Sequence, residues 1–114
     1  MEVSVSFQPS SGIPYSATFH FQGEEIKASM YWSVEPENLY LWVKLLDACK
    51  RRKNYVLDTI VPRDERVIMV QGSESKVTFA VTNRSDMGEG CIVIAVDVDK
   101  CIPPFEHVIE NLRS

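Results

Sequence analysis

Residues 36–53, PENLYLWVKLLDACKRRK, form the one long segment of this sequence with the apolar period of a helix. Apolar side chains recur there at three- and four-residue steps, which is the spacing of a single helix face. The stripe consists of Leu39, Trp42, Val43, Leu46 and Cys49. Further apolar residues flank it and widen the face that other elements can cover. The segment therefore predicts a long helix on which the rest of the chain is assembled.

The sequence before this helix has the period of β-strands. Apolar residues occupy every second position in residues 3–7, 15–21 and 26–32. A short turn around Gly23 separates the second run from the third. These two runs are therefore predicted to form a β-hairpin.

Further strand-like runs follow the helix. Residues 66–71 and 77–82 have strand character, whereas residues 54–61 fit either a short strand or a packed connector. The polar residues 83–90 include two glycines and predict a loop. The run CIVIAVDV at 91–98 is apolar on both faces over most of its length, which predicts a central strand.

The end of the sequence predicts a short helix, because Phe105, Val108, Ile109 and Leu112 follow one another at helical spacing. Most connections between the strands are short, so the strands should pair antiparallel. We expect a single α+β domain over residues 1–114. It should contain a mainly antiparallel sheet of five to six strands, one long helix packed on a face of the sheet, and the short C-terminal helix.

Composition and charge exclude several classes of protein. The 114 residues carry a net charge of −4, with 12 Lys and Arg against 16 Asp and Glu. This deficit of basic residues argues against a nucleic-acid binder. No stretch approaches the roughly 18 consecutive apolar residues of a membrane-spanning helix, and the N-terminus lacks the pattern of a secretory signal. We therefore expect a cytoplasmic protein that binds neither nucleic acid nor a membrane.

The three cysteines, Cys49, Cys91 and Cys101, are an odd number without close spacing. In a chain without a secretory signal, this pattern argues against a framework of disulfides. We expect reduced thiols, at least two of which are small apolar core residues.

The sequence contains no motif for a nucleotide, a metal or another cofactor, so none is expected. Its five glycines lie outside any phosphate-binding pattern, and neither histidine has a Cys or His at ligand spacing. Two residues keep an enzyme open as an alternative. Cys101 precedes a predicted helix and lies six residues before His107, and Asp97 interrupts an apolar strand. Burial of Cys101 and exposure of Asp97 to solvent are the simpler interpretations.

Tyrosines on polar faces near acidic loops indicate a protein-binding surface, because tyrosine is enriched at interfaces. Tyr31 lies on the polar side of its strand, and Tyr40 flanks the apolar stripe of the long helix. The residues predicted to contact a partner protein are Glu24, Glu25, Tyr31, Asp86, Glu89, Asp97 and Asp99. The alternative is that both tyrosines pack at the edge of the core.

The order of elements, with GCIVIAV at 90–96 and CIPPF at 101–105 before a short helix, resembles small bacterial immunity-type proteins. The resemblance implies a single domain with a β-hairpin, a long helix, a sheet and a closing helix. It also implies a protein that binds and blocks a partner toxin, often through acidic loops. It assigns no individual site residue.

We therefore expect a non-enzymatic cytoplasmic protein-binding module, namely an immunity or inhibitor protein that blocks a partner toxin. Two alternatives stay open. One is a small enzyme that uses Cys101 or Asp97. The other is a homo-oligomeric structural protein, in which the edge strand at residues 3–7 pairs with its copy to form a homodimer.

Overall fold

The computed structural model describes residues 1–8, 16–58, 65–85 and 87–113, which form an α+β fold. Two antiparallel sheets and two α-helices make up this described part of the chain. A 3₁₀ turn, Pro36–Asn38, precedes the first α-helix. The elements in chain order are β1 (Glu2–Gln8), β2 (Ser16–Gln22), β3 (Lys27–Ser33), α1 (Leu39–Arg51), β4 (Tyr55–Asp58), β5 (Glu65–Gln71), β6 (Lys76–Ser85), β7 (Gly88–Asp97) and α2 (Val98–Arg113).

The prediction of one sheet with five to six strands is wrong, because the strands form two sheets. Strands β1, β2 and β3 pair in that order, and strands β4, β5, β6 and β7 pair in theirs. Helix α1 carries the chain from the first sheet to the second and packs against β4, β5 and α2. Alternation in the sequence shows which face of a strand is buried, but it does not show which strands pair across a helix.

The predicted hairpin is confirmed as β2 and β3, and its register places Phe19 opposite Met30. The ambiguous stretch at 54–61 contains the short strand β4, and its last residues lie outside the described part of the chain. The strands expected at 66–71 and 77–82 are confirmed as β5 and β6. The period-two pattern was therefore a reliable guide to the individual strands.

Helix α1 buries a face that is rotated from the predicted stripe. Trp42, Leu45 and Cys49 are buried, whereas Val43 is 38% exposed. The prediction that Val43 lies on the inner face of the helix is therefore wrong. The helix ends at Arg51 and is capped by Arg52, which adopts a left-handed conformation with a φ of 54° and donates its backbone N–H to the carbonyl oxygens of Ala48 and Cys49.

An aromatic cluster joins both sheets and both helices. The ring of Phe19 on β2 lies 5.5 Å from Trp32 on β3, edge to face, and 5.5 Å from Phe79 on β6. It also lies 6.1 Å from Trp42 on α1 and 5.9 Å from Phe105 on α2. Aromatic pairs at these separations add to the hydrophobic gain from burial. The two sheets therefore share one core.

Two predictions about β7 are wrong. The expected loop at 83–90 is instead mostly strand, since β6 continues to Ser85 and pairs with Gly88 at the start of β7. The expected central strand at 91–98 is the outermost strand of its sheet. Ile92 is exposed because the strand runs past the end of the core, whereas Val93 is exposed because it points to the opposite, outward face of the sheet.

The last helix begins earlier than predicted, and the prediction that it is short is wrong, because α2 has 16 residues and α1 has 13. Val98 starts α2, and Pro103 and Pro104 lie inside the helix. Prolines lack the N–H group that a helix interior uses, so their positions in the sequence suggested a later start. No helix in the described ranges is long and apolar enough to cross a membrane.

Candidate binding cleft at the end of the second sheet

The inner face of the second sheet is built from cross-strand rows of side chains. One row, Ile68, Phe79 and Ile94, is buried in the core. The next row toward the β6–β7 turn consists of Arg66, Val81 and Ile92. Directly opposite residues in an antiparallel sheet point to the same face. Because Ile92 in this outer row is exposed, the sheet extends beyond the part that the core covers.

An open cleft of about 550 Å³ lies over this outer row. Arg66, Val81 and Ile92 form its floor. Strand β3 of the first sheet supplies one wall with Ser29, Met30 and Tyr31, and the start of β7 supplies the rim with Met87, Gly88, Glu89 and Gly90. The cleft therefore lies where the free edge of the first sheet faces the extended end of the second.

Tyr31 and Arg66 connect the wall of the cleft to its floor. The guanidinium carbon of Arg66 lies 4.4 Å from the centre of the Tyr31 ring, which is the geometry of a cation–π contact. Tyr31 is nevertheless 54% exposed. An aromatic ring that is held in place and still accessible can contact a ligand without a large loss of side-chain entropy.

The sequence-predicted partner residues fall into separate groups. Tyr31 and Glu89 both line the cleft, so the structure brings these two together from β3 and β7. Glu24 and Glu25 are exposed in the turn between β2 and β3. Asp86 lies outside the described residues.

Asp97 lies at the other end of β7, about 26 Å from Glu89 by the rise of a strand, and Asp99 lies in the first turn of α2. Lys76 donates a hydrogen bond to Asp97, and Arg52 donates one to Asp99 at 2.8 Å. The hydrogen bond from Lys76 holds the pKa of Asp97 below its ordinary value. A general acid needs a raised pKa, so this environment argues against Asp97 as a catalytic acid.

The environment of Cys101 argues against a nucleophile. Cys101 is fully buried, and burial raises the pKa of its thiol far above the ordinary value, which disfavours the reactive thiolate. Burial likewise raises the pKa of Cys49 to about 12. These two cysteines are confirmed as core residues, whereas Cys91 is exposed on β7.

A polar contact across the outward face of the first sheet was not predicted from the sequence. His20 on β2 lies between Ser6 on β1 and Ser29 on β3, with its Nε2 2.8 Å from Ser6 Oγ and its Nδ1 3.0 Å from Ser29 Oγ. All three residues are exposed, so the contact links three strands at the surface. No group of three His, Cys, Asp or Glu side chains within the described ranges is placed to bind a metal ion.

The floor of the cleft was also missed, because it depends on pairing between distant strands. Arg66, Val81 and Ile92 each lie two residues from a buried residue on the same face of their own strand. This two-residue spacing from a buried position is the signal from which their common face could have been inferred.

The chain matches the model of a family described as a family of unknown function (DUF5766) over residues 26–107. No curated protein and no solved structure matches it. The matched region includes β3, β5, β6 and β7, the four strands that form the cleft. Because the match covers well over half of the sequence, the chain belongs to the DUF5766 family of unknown function.

Proposed function

We propose that this protein is a non-enzymatic binding module that holds a partner protein at the cleft between β3 and β7. The observation that carries the proposal is the exposed Tyr31 ring, held by Arg66 above a floor that includes the exposed Ile92. Tyrosine and arginine are among the residues that contribute most at protein interfaces.

The openness of the cleft favours a protein partner. Ile92 and Met87 project into solvent instead of lining a closed cavity. A small ligand usually has most of its surface enclosed, whereas a protein surface can cover exposed apolar side chains around a shallow cleft. Glu89 on the rim would then guide the approach of the partner more than it would add to affinity.

The specific form of the proposal is an inhibitor that blocks a partner toxin in the cytoplasm. The net charge of −4 favours a partner with a basic surface. The likeness in element order to immunity-type proteins supports the same form. Within this proposal, Glu24 and Glu25 act as outlying acidic contacts on the β2–β3 turn.

The test compares Tyr31→Ala with Tyr40→Ala in binding to the product of the adjacent gene. The two tyrosines are closely matched, since Tyr40 is 58% exposed and has the Lys44 ammonium 5.7 Å from its ring centre. We expect Tyr31→Ala to weaken binding by about 2 kcal/mol, roughly thirtyfold in Kd, by calorimetry. Tyr40→Ala should leave the Kd within about twofold, because Tyr40 lies outside the cleft.

Equal effects of the two substitutions would contradict the placement of the binding site. The absence of a complex with any neighbouring gene product, at concentrations where both proteins are folded, would contradict the inhibitor form of the proposal.

A further inference from the structure

Strand β7 presents a long and almost uncharged edge. It spans ten residues, pairs with β6 on one side, and is the last strand of its sheet in the described part of the chain. Between Gly88 and Val96 the sequence GEGCIVIAV contains no Lys, Arg or Pro and a single charged residue, Glu89. Such an edge can accept another strand, and proteins usually block it with charges, prolines or a covering element.

The other sheet edges carry the protection that β7 lacks. On β1, Glu2 forms a 2.8 Å ion pair with Lys100, which brings α2 against that strand. Strand β3 carries the exposed Lys27 and forms the wall of the cleft. Strand β4 has four residues in the described part of the chain. Short or charged edge strands are poor templates for pairing, so β7 is the edge best suited to receive a strand.

We propose that a second copy of this chain pairs antiparallel along β7 and joins the two four-stranded sheets into one sheet of eight strands. The homodimer would use this edge and not the predicted edge at residues 3–7. The second copy is the occupant that fits, because β7 is complementary to itself. Its centre, residues 91–95, is apolar and exposed except at the buried Ile94, and its one carboxylate before Asp97 lies near the end of the strand.

Symmetry and charge select one register for this pair. A two-fold axis perpendicular to the sheet keeps the inner faces of both copies on the same side of the joined sheet. Each inner-face residue must therefore lie opposite an inner-face residue of the second copy. Centring the pair on Val93 would place Glu89 opposite Asp97 of the second copy, twice. Like charges on directly opposed residues are destabilising, even though Asp97 also pairs with Lys76. Centring it on Cys91 would shorten the paired segment. Centring it on Ile92 pairs residues 88–96 and places Glu89 opposite the uncharged Ala95.

This register makes the second copy part of the cleft. Ile92 is the last residue of the floor row, and it would lie beside Ile92 of the second copy on the same face. The floor would then continue through Val81 and Arg66 of that copy. The two clefts would form one groove across the dimer, with a Tyr31 ring on each side. A partner could therefore contact both copies at once, which raises its apparent affinity.

The first experiment is light scattering of the full chain from micromolar to millimolar concentration. We expect a mass that rises toward twice that of the chain. Ile92→Lys and Ile92→Glu should each abolish the dimer, because like charges would oppose each other at the symmetry axis. An equimolar mixture of the two variants should restore it. Val56→Lys is the matched control, since Val56 is 51% exposed and Ile92 is 53% exposed, and it should leave the dimer unchanged.

The second experiment tests the register by cross-linking with oxidised glutathione. In the proposed pair, residue 93 lies directly opposite Cys91 of the second copy, within the Cα separation that a disulfide bridges. Val93→Cys should therefore give a covalent dimer on non-reducing gels. The native chain should not, because its two Cys91 residues would lie diagonally, about 7–8 Å apart.

A native chain that stays monomeric at millimolar concentration would overturn the proposal. So would a dimer that survives Ile92→Lys but dissociates on Ser4→Lys, since that result would move the contact to β1. Neither result bears on the partner-binding role of Tyr31, which is measured separately. A monomeric chain with a Tyr31-dependent partner would leave the proposed function standing.

Discussion

Gly72 shows most directly how a single residue constrains this fold. It follows β5 and lies against the end of α1, where a Cβ at position 72 would come within 1.9 Å of the Arg52 carbonyl oxygen. Its backbone N–H donates a 2.7 Å hydrogen bond to Asn54 Oδ1. The connection from α1 to β4 therefore packs directly on the turn that follows β5, and only glycine leaves room for it.

We predict that Gly72→Ala destabilises the protein by about 1–3 kcal/mol, because the added methyl group meets backbone atoms that cannot move independently. Gly90→Ala is the control, since no atom lies within 4 Å of a Cβ built there. Its effect should stay within about 0.5 kcal/mol. Urea unfolding followed by circular dichroism measures both values. Similar losses in the free energy of unfolding for the two variants would contradict this prediction. They would show that the backbone shifts and makes room for the methyl group at position 72.

At the scale of elements, helix α1 shows both the strength and the limit of sequence patterns. The helical period correctly predicted that residues 39–51 form a helix with one buried face. The pattern alone did not fix the rotation of that face, because apolar residues surround most of the helix. Contacts with α2, β4 and β5 decide that Leu45 faces inward and Val43 outward.

We therefore predict a large difference between two substitutions on α1. Leu45→Ala removes a fully buried side chain and should cost about 2–5 kcal/mol, including the cavity that it leaves. Val43→Ala should cost less than about 1 kcal/mol, because Val43 is partly solvated already. Thermal and urea unfolding of both variants test the rotation of the helix. Equal losses in the free energy of unfolding, or a larger loss for Val43→Ala, would instead support the buried face predicted from the sequence.

Strand β7 shows why part of the candidate site was not predictable. Alternation placed Tyr31 correctly on an exposed face, because that depends only on its own strand. The apolar character of β7 on both faces suggested a central strand, since such strands are usually covered on both sides. Whether a strand is central or outermost depends on pairing between distant segments, which local patterns do not contain. The floor of the cleft depends on the same pairing.

At the scale of the whole molecule, the aromatic cluster decides how the two sheets behave together. The sheets share no strand, yet Phe19 from the first sheet and Phe79 from the second lie in one core with Trp32, Trp42 and Phe105. Neither sheet could bury its inner face alone, because each uses the other and the helices as cover. The shared core therefore couples the folding of one sheet to that of the other.

We predict that both sheets unfold in one transition. Fluorescence reports on Trp32 and Trp42 in the cluster, while far-ultraviolet circular dichroism reports on all strands and helices, so the two urea curves should coincide. Phe19→Ala should shift both curves together and lower the free energy of unfolding by about 3–5 kcal/mol. Tyr31→Ala, at an exposed ring, should leave both curves within about 0.5 kcal/mol. Two separated transitions, with only the first sensitive to Phe19→Ala, would mean that each sheet folds with its own core and that the cleft between them can open.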